Sequence, residues 1–439
     1  MKNVILITID CLRADHLSCY GYHRETTPFI DSLANEGIIF RRAYANGPFT
    51  VAAFPAILTS TYPLESGRYI TLENRIFVSE ILREKGIKTA AIHSNPYLSE
   101  VYGYNRGFDY FEDFFHLQIT RKSHSKIRSA ISATLNLCKP VRKAISLLRK
   151  YLNLPKPPYA PAETITKFAI KWLKENLSNA FFLWLHYMDL HEPYLILNTG
   201  IERRYSKKMT RLKQLRILKP RREYVNDIIN VYDDKLRYID LNIQRLYNLL
   251  KQEGIIDETI IIITADHGQE FYDHGHFSHI AKFYEENIHI PLIIYGLETG
   301  ISDKLVSQLD IAPTILWLYK ISPAKNYKGK NLLSSHERDF VISEASHDEQ
   351  GIYIANHRIR KPIYTSFSCI TKQWKYILTQ EQEEMYDLSK DPKEKRNVVK
   401  EYPEIASKLK EIVEEHIKEE ERIRLKNKVK RLKLKQNLI

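Results

Sequence analysis

Three short apolar runs in this chain each lead, within a few residues, to a side chain that can bind a cation or a proton. VILITI at 4–9 ends at Asp10, FFLWLH at 181–186 precedes His191, and TIIIIT at 259–264 precedes Asp266. Uninterrupted runs of this length are typical of strands buried on both faces of a parallel sheet. Ligands of open α/β sheets bind outside the carboxyl ends of such strands, so these run ends predict a binding site.

Helical patterns lie between the apolar runs. The clearest spans 226–252, where apolar residues recur every three or four positions. TAAIH at 89–93 and IPLIIYG at 290–296 predict further strands. Alternating strands and helices predict an α/β fold with a mostly parallel central sheet sandwiched by helices. The remaining helices of this part are predicted over 28–37, 76–85 and 163–177.

The pattern changes after about residue 335. VISEA, GIYIA and WKYIL are short segments typical of antiparallel strands, and a helical pattern follows over 402–419. We therefore predict a catalytic α/β domain over 1–335, a small C-terminal α+β subdomain over 336–420 and a basic tail over 421–439.

The net charge of +13 is unevenly distributed. Basic insertions are predicted at about 114–160 and 195–224, and together with the tail they hold more positive charge than the whole surplus. Such segments are either solvated surface or contacts to an anionic membrane surface or a polyanionic substrate. Nucleic acid is disfavoured because no recognition motif is present. The oligomeric state is left open.

The compartment is predicted from the cysteines and the apolar runs. Four cysteines are scattered without CxxC spacing, which favours free thiols in a reducing compartment. The start of the sequence lacks a signal-peptide pattern, and no run approaches the roughly 20 apolar residues of a membrane-spanning helix. We expect a cytoplasmic protein, peripheral at a membrane if the basic segments bind lipid.

The strand ends supply hard metal ligands. Asp10, Asp266 and His267 offer two carboxylates and an imidazole, a set suited to one divalent cation, with a second left open. Calcium, manganese, zinc and magnesium all remain candidates. Thr50 follows a Gly-Pro entry and begins an apolar, uncharged run. Since a metal lowers the pKa of a hydroxyl, we predict Thr50 as the fourth ligand and the attacking group.

Other polar residues surround these positions. His274, His276, His279 and Lys282 lie within ten residues of one another and suggest an anion site or a second metal. His191 follows its strand closely. Further residues that could line the pocket are Arg13, His93 and Asn95.

Several stretches are distinctive, among them ITIDCLRADHLSCYGY, HYMDLHEPY, TADHG and MYDLSKDPKEKRNVV. Through these stretches, over residues 4 to about 399, the chain resembles the sulfatase family of the alkaline phosphatase superfamily. The resemblance implies a metal-dependent hydrolase of sulfate or phosphate esters that works through a covalent intermediate. It also implies that His191 and one histidine of 274–279, assigned here as His276, bind the anion or protonate the leaving group. Lys282 and Asn95 are assigned to substrate binding.

The chain departs from the family pattern at the nucleophile. Typical sulfatases carry a Cys or Ser there, in a C/S-x-P-S/T-R pattern, that is modified to formylglycine. This position falls on Thr50, and Val51–Phe54 replace the Pro and Arg that follow it. Asp10 is followed by Cys11 where typical members often have a second Asp. We therefore interpret the chain as an atypical member with Thr50 as nucleophile, as in relatives that transfer phosphate.

Two alternatives remain at this point. One is a transferase that places a phospho-group on a lipid or glycan at a membrane surface. The other is a catalytically inactive binding relative, which the unusual sequence after Thr50 favours slightly. Retention of the four candidate ligands Asp10, Thr50, Asp266 and His267 argues for an enzyme.

Overall fold

The computed structural model describes residues 3–65, 75–114, 159–192, 220–347 and 364–436, with side chains as far as residue 429. Most of both predicted basic insertions and the GIYIA segment lie outside these ranges. Within the described residues, no helix combines the length and apolarity needed to cross a membrane. The described helices are α1 Pro28–Asn35, α2 Thr50–Thr59, α3 Val78–Glu84, α4 Ala162–Asn176, α5 Arg222–Gln252, α6 Glu285–Ile288, α7 Ile311–Leu318 and α8 Pro403–Gln436.

The strands form one large and two small sheets. The large sheet has nine strands in the order β11-β2-β10-β6-β1-β5-β3-β4, with β9 paired to β2. A four-stranded sheet follows the order β12 to β15, and β7 pairs with β8. The bounds are β1 Asn3–Ile9, β2 Gly37–Tyr44, β3 Lys88–His93, β4 Tyr110–Glu112, β5 Phe181–Tyr187, β6 Thr259–Ala265, β7 Glu270–Phe271, β8 Phe277–Ser278, β9 His289–Ile290, β10 Leu292–Tyr295, β11 Gly300–Ser307, β12 Val341–His347, β13 Tyr364–Ile370, β14 Trp374–Leu378 and β15 Glu383–Asp387.

The three apolar runs become adjacent strands at the centre of the large sheet. β1 pairs in parallel with β5 on one side and with β6 on the other, and all residues of the three strands are buried. Two groups of helices cover the sheet: α5 contacts both α1 and α4, and α2, α3 and α7 contact one another. β3 contacts both α3 and α4, so the sheet lies between the groups. The predicted fold class is confirmed.

Two features of the sheet were not anticipated in detail. β10 runs antiparallel to both of its neighbours, β6 and β2, so the sheet is mixed on that side. β2 lies between α1 and the entry to α2, where the sequence analysis assigned no strand. Three of its eight residues are partly or fully exposed, and two of these are the charged Arg41 and Arg42, which weakens the apolar signal.

The C-terminal part is an antiparallel sheet with a helix packed on it. Helix α8 contacts β13 and β14 and encloses a second small hydrophobic cluster that includes Phe367, Tyr376 and Leu409. The helix predicted over 402–419 continues to Gln436, through most of the predicted tail. Lys, Arg and Leu are good helix formers, and this stretch has no Gly or Pro to end the helix. The boundary at 335 stays a prediction.

Candidate active site

Two buried carboxylates lie side by side at the carboxyl ends of β1 and β6. The register pairs Ile9 with Ala265, so Asp10 and Asp266 follow at the same sheet edge. Both residues are 0% exposed. Asp266 Oδ1 accepts hydrogen bonds from the backbone amides of His267 at 2.8 Å and Cys11 at 3.2 Å. The two carboxylates predicted at strand ends therefore lie together at one edge of the sheet.

Thr50 lies against both strand ends. It is the first residue of α2, whose ten residues are all buried. Thr50 Oγ1 donates a hydrogen bond to Asp10 Oδ2 at 3.3 Å and lies 3.4 Å from His267 Nε2. The N-terminus of a helix carries partial positive charge, so this end of α2 favours an anionic substrate group. The structure thus brings together the four residues Asp10, Thr50, Asp266 and His267.

His186 is a site residue that the sequence analysis missed. It lies near the end of β5, parallel to β1, and its Nε2 is 3.5 Å from Asp10 Oδ2. Its Nδ1 lies 2.9 Å from Thr8 Oγ1, which fixes the orientation of the ring. Its position near the end of a buried strand could have identified it as a site residue. It was missed because it belongs to the apolar run that was read only as a strand.

Asn95 contacts the carboxylate cluster as predicted for a pocket residue. Its Nδ2 donates to Asp10 Oδ2 at 3.3 Å, and its Oδ1 accepts from the amide of Tyr97 at 3.0 Å. His93 instead lies beneath the site, fully buried against Trp184, and burial drives its pKa well below the usual range.

Arg13 is held by carboxylates outside the cluster. Its guanidinium forms ion pairs with Asp15 and Asp273, both at 2.8 Å, and donates to the carbonyl of Gln269. Arg13 therefore supports the loop after β6, whereas the sequence analysis named it among the residues that could line the pocket.

His191 follows the end of β5 and lies beside His279. Its ring lies 5.1 Å from the ring of His279, and its Nδ1 is 2.6 Å from the hydroxyl of Tyr159. Burial opposes ionisation of Asp10, but the nearby imidazole of His191, then a hydrogen bond with His186 and the neighbouring His267, hold the pKa of that carboxyl well below its usual range.

The structure selects His279 from the histidine-rich segment. The His279 ring lies 4.5 Å from the ring of His267, and its Nδ1 is 3.0 Å from Gln269 Oε1. His276, which was assigned to catalysis and substrate binding, is exposed; its amide donates to Glu270, and its carbonyl accepts from Tyr272. This hairpin geometry, which spacing along the chain does not reveal, separates the two histidines.

Lys282, assigned to substrate binding, is engaged elsewhere. Its Nζ lies 3.3 Å from the buried Glu270 carboxylate and 3.0 Å from the carbonyl of His274. It also lies over the ring of Tyr284, 5.6 Å from the centroid. His274 in turn lies 2.6 Å from Glu286 and stacks on Tyr284. These contacts give Lys282 a role in ordering the segment that carries His279.

The cluster fits a divalent cation. Asp266 Oδ2 and His186 Nε2 are buried and have no hydrogen-bond partner among the described residues. Burial, followed by the charge of Asp10, raises the pKa of Asp266. Oxygen and imidazole donors around two carboxylates are ligands that divalent metals take.

The fold and the site define an α/β protein with a buried cluster of carboxylates, a hydroxyl and imidazoles at the ends of its central strands, and comparisons with known proteins identify its family. The family model for sulfatase matches residues 2–321, and the model for the C-terminal region of N-sulphoglucosamine sulphohydrolase matches 272–419. An arylsulfatase of Clostridium perfringens (strain 13 / Type A) is 24% identical, covering 94% of this chain and 93% of that protein. Arylsulfatase K of Bos taurus is 32% identical over 36% of this chain, which spans 31% of that relative's length.

Among solved structures, the phosphonate monoester hydrolase of Agrobacterium radiobacter has a TM-score of 0.71 at 19% identity, covering 96% of both chains. A structure in complex with its substrate D-glucosamine-2-N,6-O-disulfate has a TM-score of 0.67 at 20% identity, covering 96% of this chain and 98% of that one. The chain belongs to the sulfatase family and is, as a class, a sulfatase-like ester hydrolase.

Proposed function

We propose that this protein hydrolyses sulfate or phosphate esters with Thr50 Oγ1 as the nucleophile and a divalent cation held by Asp10, Thr50, Asp266 and His267. The observation that carries the proposal is the position of that hydroxyl at the N-terminus of α2, 3.3 Å from Asp10 Oδ2 and 3.4 Å from His267 Nε2. A buried hydroxyl between a carboxylate and an imidazole matches the arrangement of an activated nucleophile.

The reaction proceeds in two steps. Thr50 Oγ1 bonds to the sulfur or phosphorus atom while the bond from that atom to the alcohol oxygen breaks. The hydroxyl proton moves toward Asp10 Oδ2, and His191 or His279 donates a proton to the departing oxygen. Water then attacks the threonyl ester, and the same groups take the reverse roles. When bound, the cation offsets charge on the ester oxygens and lowers the pKa of the attacking hydroxyl.

The anion is held without an arginine next to the nucleophile. Val51, Ala52, Ala53 and Phe54 are buried and supply no charge to the first turn of α2. The partial charge of the helix N-terminus, the amide of Asn95 and the imidazoles of His191 and His279 take this role. The proposal therefore needs no formylglycine.

The substrate class comes from the relatives. The proteins compared above include an arylsulfatase, a phosphonate monoester hydrolase and a protein bound to a sulfated glucosamine. We extend to this chain only what they share, an anionic ester of tetrahedral sulfur or phosphorus. A membrane-bound transferase and the cytoplasmic location stay predictions.

The test compares two substitutions of the nucleophile. We expect Thr50→Val to lower kcat on nitrophenyl sulfate or nitrophenyl phosphate by about 10³-fold or more, because the attacking oxygen is lost. Thr50→Ser keeps a hydroxyl and should retain measurable turnover. Equal activity of wild type and Thr50→Val on both esters, with intact thermal melts, would overturn the proposal. The ester turned over faster by the wild type identifies the group that is transferred.

A further inference from the structure

The side chain that follows Asp10 points into the active-site cluster. Cys11 is 0% exposed, and its Sγ lies 2.8 Å from Asp10 Oδ1 and 3.5 Å from His279 Nδ1. The Cys11 thiol, His267 and His279 together place one ligand atom each within 4.8 Å of one another. A thiol and two imidazoles at this spacing form a donor set that first-row transition metals accept.

The backbone holds this thiol in place at a conformational cost. Cys11 has φ of +60°, a left-handed value that residues with a Cβ rarely adopt. Its amide donates to Asp266 Oδ1 at 3.2 Å, and its carbonyl accepts from the Tyr232 hydroxyl at 2.8 Å. Strained backbone that its surroundings hold on both sides is characteristic of functional positions.

A second observation points to a cation at the same place. Asp266 is fully buried, and its Oδ2 has no hydrogen-bond partner among the described residues. That oxygen lies 3.5 Å from His267 Nε2. His267 Nδ1 is 2.8 Å from the carbonyl of Gly268, which leaves Nε2 directed at Thr50 and Asp266. The unpartnered carboxylate oxygen and the Cys11 thiol therefore both lie close to His267.

We propose that Cys11 is a thiolate ligand of the active-site cation, with Asp266 and His267, and that the site consequently selects a thiophilic ion such as Zn²⁺ over Ca²⁺ or Mg²⁺. The inference rests on the metal site of the proposed function. A sulfur–metal bond forms and the thiol proton is released to solvent. Soft sulfur ligands favour zinc and cobalt, whereas oxygen-only sites favour calcium and magnesium.

The test uses Co²⁺ as a spectroscopic probe of the purified full-length protein. Cobalt bound through sulfur gives a thiolate-to-cobalt charge-transfer band in the near ultraviolet in addition to its visible ligand-field bands. We expect this band in the wild type and in a variant in which Cys19, Cys138 and Cys369 are replaced by Ser. We expect its loss in Cys11→Ser, with the visible bands of bound cobalt retained.

A competition experiment measures the selectivity. Cys11→Asp replaces sulfur by oxygen and should lower the ratio of Zn²⁺ to Mg²⁺ affinity by about tenfold or more, the size of effect expected for a change around a bound metal. Cys19→Ser is the matched control and should leave this ratio unchanged.

The possible results separate this inference from the proposed reaction. A charge-transfer band that depends on Cys11 supports it even if Thr50→Val proves as active as the wild type. Visible cobalt bands without a charge-transfer band in the Cys11-only variant overturn it, whatever the activity. Failure of the wild type to bind cobalt or zinc overturns it as well. If Cys11→Ser fails to fold, the spectrum of the Cys11-only variant decides.

Discussion

A threonine hydroxyl in water is a poor nucleophile, so the function of Thr50 depends on its neighbours. Here those neighbours are a carboxylate at 3.3 Å and an imidazole at 3.4 Å, both fully buried. Low local polarity strengthens each of these interactions. The distances from the Thr50 hydroxyl to these two groups therefore decide whether it can act as the nucleophile.

The two histidines of one hairpin provide the sharpest prediction at the residue scale. His279 packs against His267, whereas His276 is exposed in the turn between β7 and β8. We expect His279→Ala to lower kcat by about 10²-fold or more, the usual effect of losing an acid–base group. His276→Ala, the matched control, should change kcat less than threefold or so by the same reasoning. Steady-state kinetics on nitrophenyl esters checks both.

The reverse order, with His276→Ala inactive and His279→Ala active, would restore the assignment made from sequence. The sequence alone did not distinguish the two residues. They are only three positions apart, yet the hairpin exposes His276 and directs His279 toward His267. No helix was predicted where α2 begins at Thr50. Asp10, Asp266 and His267 were predictable at the sheet edge because each follows a buried strand. His186 was not, since it lies inside an apolar run.

The element that presents Thr50 is the tight entry to α2. A Cβ on Gly47 would lie 2.3 Å from the Ala52 Cβ, a separation far below van der Waals contact. Gly47 therefore lets the chain fold back on the first turn of its own helix. Beyond this turn, β12 supports the entry: the amide of Glu344 donates to the carbonyl of Asn46 at 2.9 Å.

We predict that Gly47→Ala displaces this turn. Overpacking of this kind typically costs about 1–3 kcal/mol of unfolding free energy, and a shift of the nucleophile should also lower kcat. Because the closest clash is with the Ala52 methyl, the double variant Gly47→Ala/Ala52→Gly should recover part of the activity. Chemical denaturation and ester hydrolysis measure the two effects. Full activity of the single variant, or no recovery in the double, would contradict this role of Gly47.

The whole molecule joins two parts whose contact depends on buried charge. Lys375 of β14 pairs with Glu285 at 2.6 Å and Glu394 at 2.8 Å. Glu344 of β12 accepts from the amide of Leu64, and its Oε2 lies 2.9 Å from His416 Nε2 of α8. Burial raises the pKa of Glu344 to about 7. Burial, followed by the charge of Glu344, raises the pKa of Glu420 well above its ordinary value.

This junction predicts a pH dependence of stability. A carboxyl group of ordinary pKa 4.5 that titrates near 7 in the folded state retains a proton that the unfolded chain has already lost. Its stabilising contribution is complete below pH 4.5 and is lost as the pH rises through about 7. We expect the wild type to lose on the order of 2–3 kcal/mol between about pH 5 and pH 8 from this group.

Glu344→Gln should flatten that dependence, measured by denaturant unfolding across the pH range. Glu419→Gln is the matched control, because Glu419 lies beside Glu420 on α8 but is exposed. The same steep decline in wild type and Glu344→Gln would show that Glu344 ionises normally.

At this scale the sequence predicts the parallel core well and the rest less well. Buried strands have a clear apolar pattern. The antiparallel orientation of β10 could not be predicted because its sequence, LIIY, is as apolar as that of the parallel strands. The length of α8 was underestimated because its last residues carry charge all around the helix rather than an apolar face, and helix propensity alone decides there. The two basic insertions have neither pattern.

The central claim is that Thr50 carries the transferred group, and peptide mass spectrometry after rapid quenching tests it directly. Protein loaded with a divalent metal is mixed briefly with sulfate and phosphate esters and then digested. We expect the peptide that contains Thr50 to gain the mass of a sulfuryl or phosphoryl group, and the same peptide of Thr50→Val to gain nothing. An adduct on another residue, or turnover by Thr50→Val at the wild-type rate without an adduct, would contradict the account.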